Sequence, residues 1–136
     1  LEVSLGDVYA DEGKDLVIVT YSRQVLHVME AADELSKLGI EVTVIDLRTL
    51  SPLDFDTVRT EVEKVGKVMV VSEGAMTAGV AAELAARISE ECFDFLEDPV
   101  VRVAGEDVPI SVSVELEKNS VPGATLIQDT ARRLLA

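Results

Sequence analysis

The sequence predicts an α/β fold of three layers, with a mainly parallel twisted sheet between helices on both faces. Three observations carry this expectation. Short apolar runs rich in Val and Ile alternate with longer stretches whose apolar residues recur at helical spacing, giving strand, helix, strand, helix, strand, helix, strand. The short runs are apolar on both sides, as strands covered by helices on two faces must be. The connections between them are short, which suits consecutive strands lying in one sheet.

The elements follow in order. Leu1–Gly13 is mixed, with Val3, Leu5 and Val8-Tyr9 as short-strand residues and Asp11–Lys14 as a turn. Leu16–Thr20 is β-branched and uninterrupted, a buried central strand. A helix is expected over Ser22–Leu38, with Val25, Met29, Ala32, Leu35 and Leu38 as its apolar stripe. Gly39 ends it where positive φ costs little. Val42–Leu47 is the next strand. Pro52 breaks the chain, Asp54 caps a helix running to Val65, and Gly66 stops that helix. Val68–Val71 is a third strand. A glycine-containing loop, Ser72–Gly79, leads to an Ala-rich helical stretch over Val80–Phe95. Pro99 precedes a fourth strand, Val100–Val103. A mixed stretch follows, and a final helix after Pro122 ends at Ala136.

The chain has 136 residues, which suits one domain spanning 1–136 with a real core. Its start at Leu1 rather than Met suggests a segment of a longer chain. Aromatic residues are 4% of the total and Trp is absent, so the core must be built from Val, Leu, Ile and Ala. The formal net charge of -14 argues against nucleic acid and anionic membrane as partners; it reads as a solvated acidic surface or as one that attracts a basic protein. A single cysteine, Cys92, has no internal disulfide partner and reads as a half-buried inert thiol in the Val80–Phe95 helix. No apolar run is long enough to span a bilayer.

Most catalytic motifs fail on inventory. The turn after the first long strand, Thr20–Val25, holds no glycine, so a dinucleotide fingerprint is absent, as is a phosphate-binding loop. One His and one Cys, far apart, make no zinc pattern, and no EF-hand spacing appears. His27 and Cys92 lie on different elements, and no nucleophile elbow is present. His27 reads as a packing or interface residue, because geometry must precede a catalytic role. In open α/β sheets, sites form at the carboxyl ends of strands. There the Thr20–Arg23 turn and the Ser72–Gly79 loop open on one edge, offering Tyr21, Arg23, Glu73 and backbone N–H groups. That edge is a small anion pocket, a subunit interface or a pair of ordinary connecting turns. The candidate interface residues are Tyr21, Arg23, His27, Glu73 and Met76.

Several segments together resemble one family. Val17–Arg23 with His27 and Glu30-Ala31-Ala32, then Val44–Asp54, are similar to the transketolase C-terminal domain of 2-oxo acid dehydrogenase β chains. Ser72-Glu73-Gly74 with Gly79–Glu83, Phe95–Val103, Asp107-Val108-Pro109 and Asn119–Pro122 extend the resemblance, in order, over essentially the whole chain. Arg102–Pro109 and Leu116–Pro122 look closer to the pyruvate than to the branched-chain enzymes. Ile110-Ser111-Val112 departs from the family, which usually has a second proline and an aromatic there, and leaves the path of that loop open.

The resemblance implies a parent enzyme that uses thiamine diphosphate and magnesium, held between an α chain and the N-terminal part of the β chain. It implies no catalytic, cofactor-binding or metal residue in this segment. The implied partners are the α chain, a second β chain and a small basic peripheral-subunit-binding domain of the acyltransferase core. Glu97, Asp98 and the carboxylate of Ala136 are the implied contacts to that basic module, with Glu97 and Asp98 in an exposed turn. The implied location is cytoplasmic in a bacterium, and mitochondrial matrix or plastid in a eukaryote. Alternatives are the same domain of a branched-chain 2-oxo acid dehydrogenase, that of transketolase or deoxyxylulose-phosphate synthase, which the Glu97–Pro109 segment disfavours, and a stand-alone anion-binding or interaction module. Arg48 with Asp46 or Asp54 is expected to hold the corner at Pro52.

Overall fold

The computed structural model describes residues 6–9 and 13–136. Five strands, β1 (Gly6–Tyr9), β2 (Leu16–Thr20), β3 (Val42–Leu47), β4 (Val68–Ala75) and β5 (Val101–Gly105), form one sheet in the order β1-β3-β2-β4-β5. β2 runs parallel to β3 and β4, and β4 parallel to β5, while β1 lies antiparallel to β3. The mainly parallel sheet is therefore as expected. The positions of Val3, Leu5, Asp11 and Glu12 lie outside the described residues.

Successive strand side chains point to opposite faces, and both faces of this sheet are apolar. On one, Leu16, Ile18, Val44, Met69 and Val71 meet Val28, Ala31 and Leu35 of α1 (Gln24–Lys37) and Ile127 and Ala131 of α5 (Ala124–Leu135). On the other, Val17, Val19, Ile45 and Val70 meet Phe55, Val58 and Val62 of α2 (Phe55–Val65) and Ala81, Leu84 and Ile88 of α3 (Val80–Glu91). Burying each large aliphatic side chain contributes roughly 1.5–3 kcal/mol. No helix among the described residues is long and apolar enough to cross a membrane.

The helix ends follow the sequence closely. The Asp54 carboxylate accepts the Thr57 N–H at 3.1 Å, capping α2, and Gly66 closes it at φ 78°. Gly39, at φ 79°, follows the end of α1.

Five features differ from expectation. The buried stripe of α1 is Val28, Ala31, Ala32 and Leu35, with Val25 and Met29 half-buried and Leu38 exposed. The helix packs on α5 as well as on the sheet, which rotates the stripe, and Leu38 is already the capping residue. β4 continues through Ser72–Ala75, which reads as loop in the sequence, because Ala75 pairs with Gly105 beyond a register shift. α3 ends at Glu91, and Phe93–Phe95 is a separate 3-10 turn that returns Leu96 and Val100 to the second core. Cys92, at the junction, is fully buried rather than half-buried, and its burial pushes the thiol pKa up. A fourth helix, α4 (Val114–Ser120), has no counterpart in the sequence reading. It buries no residue, so no apolar stripe announces it.

Candidate functional site

The chain leaves β2 towards β3 on one side, and β4 lies on the other. A crevice at the carboxyl ends of β2 and β4 is where α/β folds place ligands. Thr20 Oγ1 donates to the Val71 carbonyl at 3.0 Å and ties the two strands together in the core. One residue on, the Tyr21 and Ser72 hydroxyls are 2.8 Å apart, and Gly74 N–H donates to the Ser72 hydroxyl at 3.1 Å. Arg23 Nη2 lies 3.1 Å from Glu73 Oε2 and 2.5 Å from Glu117 Oε1.

Tyr21, Arg23 and Glu73 are thus gathered at one edge. The hydrogen bond and charge of Glu117, with the charge of Glu73, push the Arg23 pKa up. Two carboxylates on one guanidinium leave the cluster negative, which does not suit capture of an anion. His27, one turn further along α1, is half-buried and lines a cavity of about 420 Å³ with Arg23, Glu117 and Pro122. Met76 is not part of this cluster. Its N–H donates to the Gly105 carbonyl and its carbonyl accepts from Arg102, and it lines a different cavity beside β5.

Glu117 is the participant that the sequence concealed. It lies 94 residues from Arg23 on a helix without an apolar stripe. A second concealed contact is Asp107, whose carboxylate accepts the Thr77 N–H at 2.9 Å and the Thr77 hydroxyl at 2.5 Å. The corner after β3 resolves between its two candidate acids: Arg48 Nε pairs with Asp46 at 2.9 Å, whereas Asp54 serves the α2 cap. Gln24 opens α1 with its side-chain amide buried and neither polar atom hydrogen-bonded among the described residues.

At the opposite edge of the sheet, a cavity of about 510 Å³ is lined by Glu97 and Ala136 together with Lys14, Lys67 and Arg132. Glu97 N–H donates to the Gly66 carbonyl at 2.9 Å, which fixes the turn to the end of α2. The Glu97 side chain is exposed. Asp98 is half-buried rather than exposed and pairs with Lys67 at 3.3 Å, because the turn folds back over the start of β4. Three cations share this cavity with the acids, so its charge is mixed rather than uniformly acidic.

A family model of the transketolase C-terminal domain matches residues 7–127. The pyruvate dehydrogenase E1 component subunit beta of Bacillus subtilis is 43% identical over 135 residues, covering 99% of this chain and 41% of that protein. The corresponding subunit of Rickettsia bellii is 45% identical, covering 82% of this chain and 34% of its own length. The mitochondrial subunit of Dictyostelium discoideum is 40% identical, covering 90% and 35%. The chain therefore spans between 34% and 41% of the length of these relatives. Among solved structures, a split-gene transketolase described as an inactive beta4 tetramer superposes with a TM-score of 0.83 at 27% identity, covering 99% of this chain and 44% of that one. A 2-oxoglutarate:ferredoxin oxidoreductase from Magnetococcus marinus shares the fold alone, with a TM-score of 0.67 at 15% identity, covering 98% of this chain and 20% of that one. The parallel sheet, its two helical layers and the match over residues 7–127 make one statement: this chain belongs to the transketolase C-terminal domain family.

Proposed function

We propose that this chain is the C-terminal domain of the β chain of a pyruvate dehydrogenase, and that it serves assembly and docking rather than chemistry. The observation that carries this reading is the match of 99% of the chain to the Bacillus subtilis β subunit. In such an enzyme pyruvate is oxidatively decarboxylated and the acetyl group passes to a lipoyl arm. The cofactor is thiamine diphosphate with magnesium, held by the α chain and the N-terminal part of the β chain. The described residues of this chain do not fit that cofactor. No group of three or more His, Cys, Asp or Glu converges for a cation, and the Arg23 guanidinium is already met by Glu73 and Glu117. Its location follows the source, cytoplasmic in a bacterium and mitochondrial matrix or plastid in a eukaryote.

The partners on this reading are the α chain, a second β chain and the basic peripheral-subunit-binding domain of the acyltransferase core. Support for the last is that Glu97 and Ala136, far apart in sequence, line one cavity. A rim charge acts mainly on association rate and salt dependence, whereas truncating a desolvated one costs roughly 2–5 kcal/mol. In the reconstituted enzyme, Glu97→Lys weakens binding to the acyltransferase core, more at low salt than at high. Decarboxylation by the free enzyme, followed with an artificial electron acceptor, stays intact. Unchanged core binding at both salts sinks the docking role. Loss of decarboxylation moves the turn into a subunit interface instead.

A further inference from the structure

We propose that the open edge of β5, with the side of α5 next to it, is a docking groove for an extended peptide of a partner protein that alternates apolar and acidic side chains. β5 is the last strand of the sheet, and a cavity of about 520 Å³ runs beside it. Val101, Arg102, Val103 and Ala104 all line that cavity. Neighbouring strand residues point to opposite faces, so four in succession border one hollow only along the strand's edge. The opposite wall is Leu126, Thr130, Arg133 and Leu134, whose spacing places them on one side of α5. Leu126 is 47% exposed.

The backbone of this edge is available. Among the described residues, Val101–Ala104 make their main-chain hydrogen bonds in the ladder with β4, and none to a further segment. An unpaired edge is a template for strand addition, in which the main chain supplies affinity and alternate side chains supply selectivity.

Charge selects the occupant. Arg102 donates to the Met76 carbonyl and Arg133 to the Thr130 hydroxyl, and neither is in an ion pair among the described residues. Asp107 is within electrostatic reach of Arg102 without contacting it. Arg23, Arg59, Arg87, Lys37, Lys64 and Lys67 each hold a carboxylate, as expected in a chain of net charge -14. Among the described residues, no acidic one lines the groove. A second copy pairing edge to edge about Val103 would bring two Arg102 and two Arg133 into one interface with no acid on either wall. An acidic peptide meets both guanidiniums instead.

The test titrates the intact chain with fluorescent seven-residue peptides: one alternating valine and glutamate, its valine–lysine counterpart, and the glutamate peptide N-methylated at alternate residues. Anisotropy reads affinity, and NMR amide shifts read location. The expected result is binding of the glutamate peptide at least tenfold tighter than the lysine peptide, with shifts at Val101–Ala104 and Leu126, and loss of binding on N-methylation. Arg133→Glu weakens it at least fivefold without changing thermal unfolding. Arg132→Glu, the same charge change on the residue facing the opposite cavity, leaves it nearly unchanged. Equal binding of both peptides, shifts centred elsewhere, or equal effects of the two substitutions overturn the proposal. So does sedimentation showing a dimer that protects the Val101–Ala104 amides, which assigns the edge to a second copy.

Discussion

Strand β2 and the segment Val108–Leu116 are both rich in apolar residues, and the molecule treats them in opposite ways. Leu16, Val17, Ile18 and Val19 are 0% exposed, with β3 on one side, β4 on the other and helices on both faces. Val108, Ile110, Val112, Val114 and Leu116 alternate with other residues as a half-buried strand would, yet all five are exposed, Val112 at 105%. Their backbone bends and then enters α4 instead of joining the sheet. Alternation makes a strand only where a neighbouring edge accepts the ladder. Exposed apolar clusters of this kind mark surfaces that another part of an assembly covers. The candidate interface residues Tyr21, His27 and Met76 are half-buried.

The sharpest test of the contrast is a pair of truncations. Ile18→Ala leaves a cavity between two packed layers and lowers unfolding free energy by about 2–5 kcal/mol in denaturant titration. Val112→Ala changes it by less than about 0.5 kcal/mol. Equal effects would mean that both segments are packed alike.

Gln24 tests whether the core end of the contrast is uniformly satisfied. A buried amide without partners costs about 1–3 kcal/mol. Gln24→Met keeps the volume and removes the polar atoms, so thermal unfolding shifts upward, by the equivalent of about 1 kcal/mol. A downward shift would show that the amide holds an ordered partner.

Val112→Lys sharpens the other end. Folding stability changes by less than about 0.5 kcal/mol, while self-association at high concentration, followed by sedimentation, diminishes. A strict monomer before substitution removes self-association from the account of this segment.

The smallest effect concerns acid. The Thr77 hydroxyl, then the Thr77 N–H, hold the Asp107 carboxyl below its ordinary range. A carboxylate with a depressed folded pKa contributes stability above its unfolded value and loses it as pH falls through the folded one. The Thr77 amide shift should therefore titrate at the acid end, below the ordinary aspartate range. Asp107→Asn removes that titration. A midpoint above the ordinary aspartate range would refute the assignment.

The sheet was legible in the sequence because its strands are buried on both faces. Leu16–Thr20 and Val42–Leu47 coincide with β2 and β3, and Asp54 and Gly66 mark the ends of α2 through local geometry. α4 was not legible, since a helix that buries nothing carries no periodic signal. The same reason hid Glu117, although its partner Arg23 and the other acid on that guanidinium, Glu73, were both identifiable at one sheet edge. Proximity in the sheet follows from topology, whereas the approach of a surface helix depends on contacts that local pattern does not encode. The extension of β4 to Ala75 likewise arises from its partner, Gly105, and not from residues 72–75 themselves.

Gly39 and Gly66 end their helices with nearly the same positive φ, but they differ in what a side chain would strike. A Cβ at Gly39 would meet nothing within 4 Å among the described residues. A Cβ at Gly66 would meet the Phe95 carbonyl oxygen at 2.8 Å and the Glu97 side chain at 3.0 Å. For anyone altering this molecule, the two stops are therefore not equivalent. At position 39 a small side chain brings only a conformational penalty, on the rim of the cavity that Glu97 and Ala136 line. Position 66 is a joint between α2 and the Glu97 turn, and widening it would re-aim that turn while adding and removing no charge.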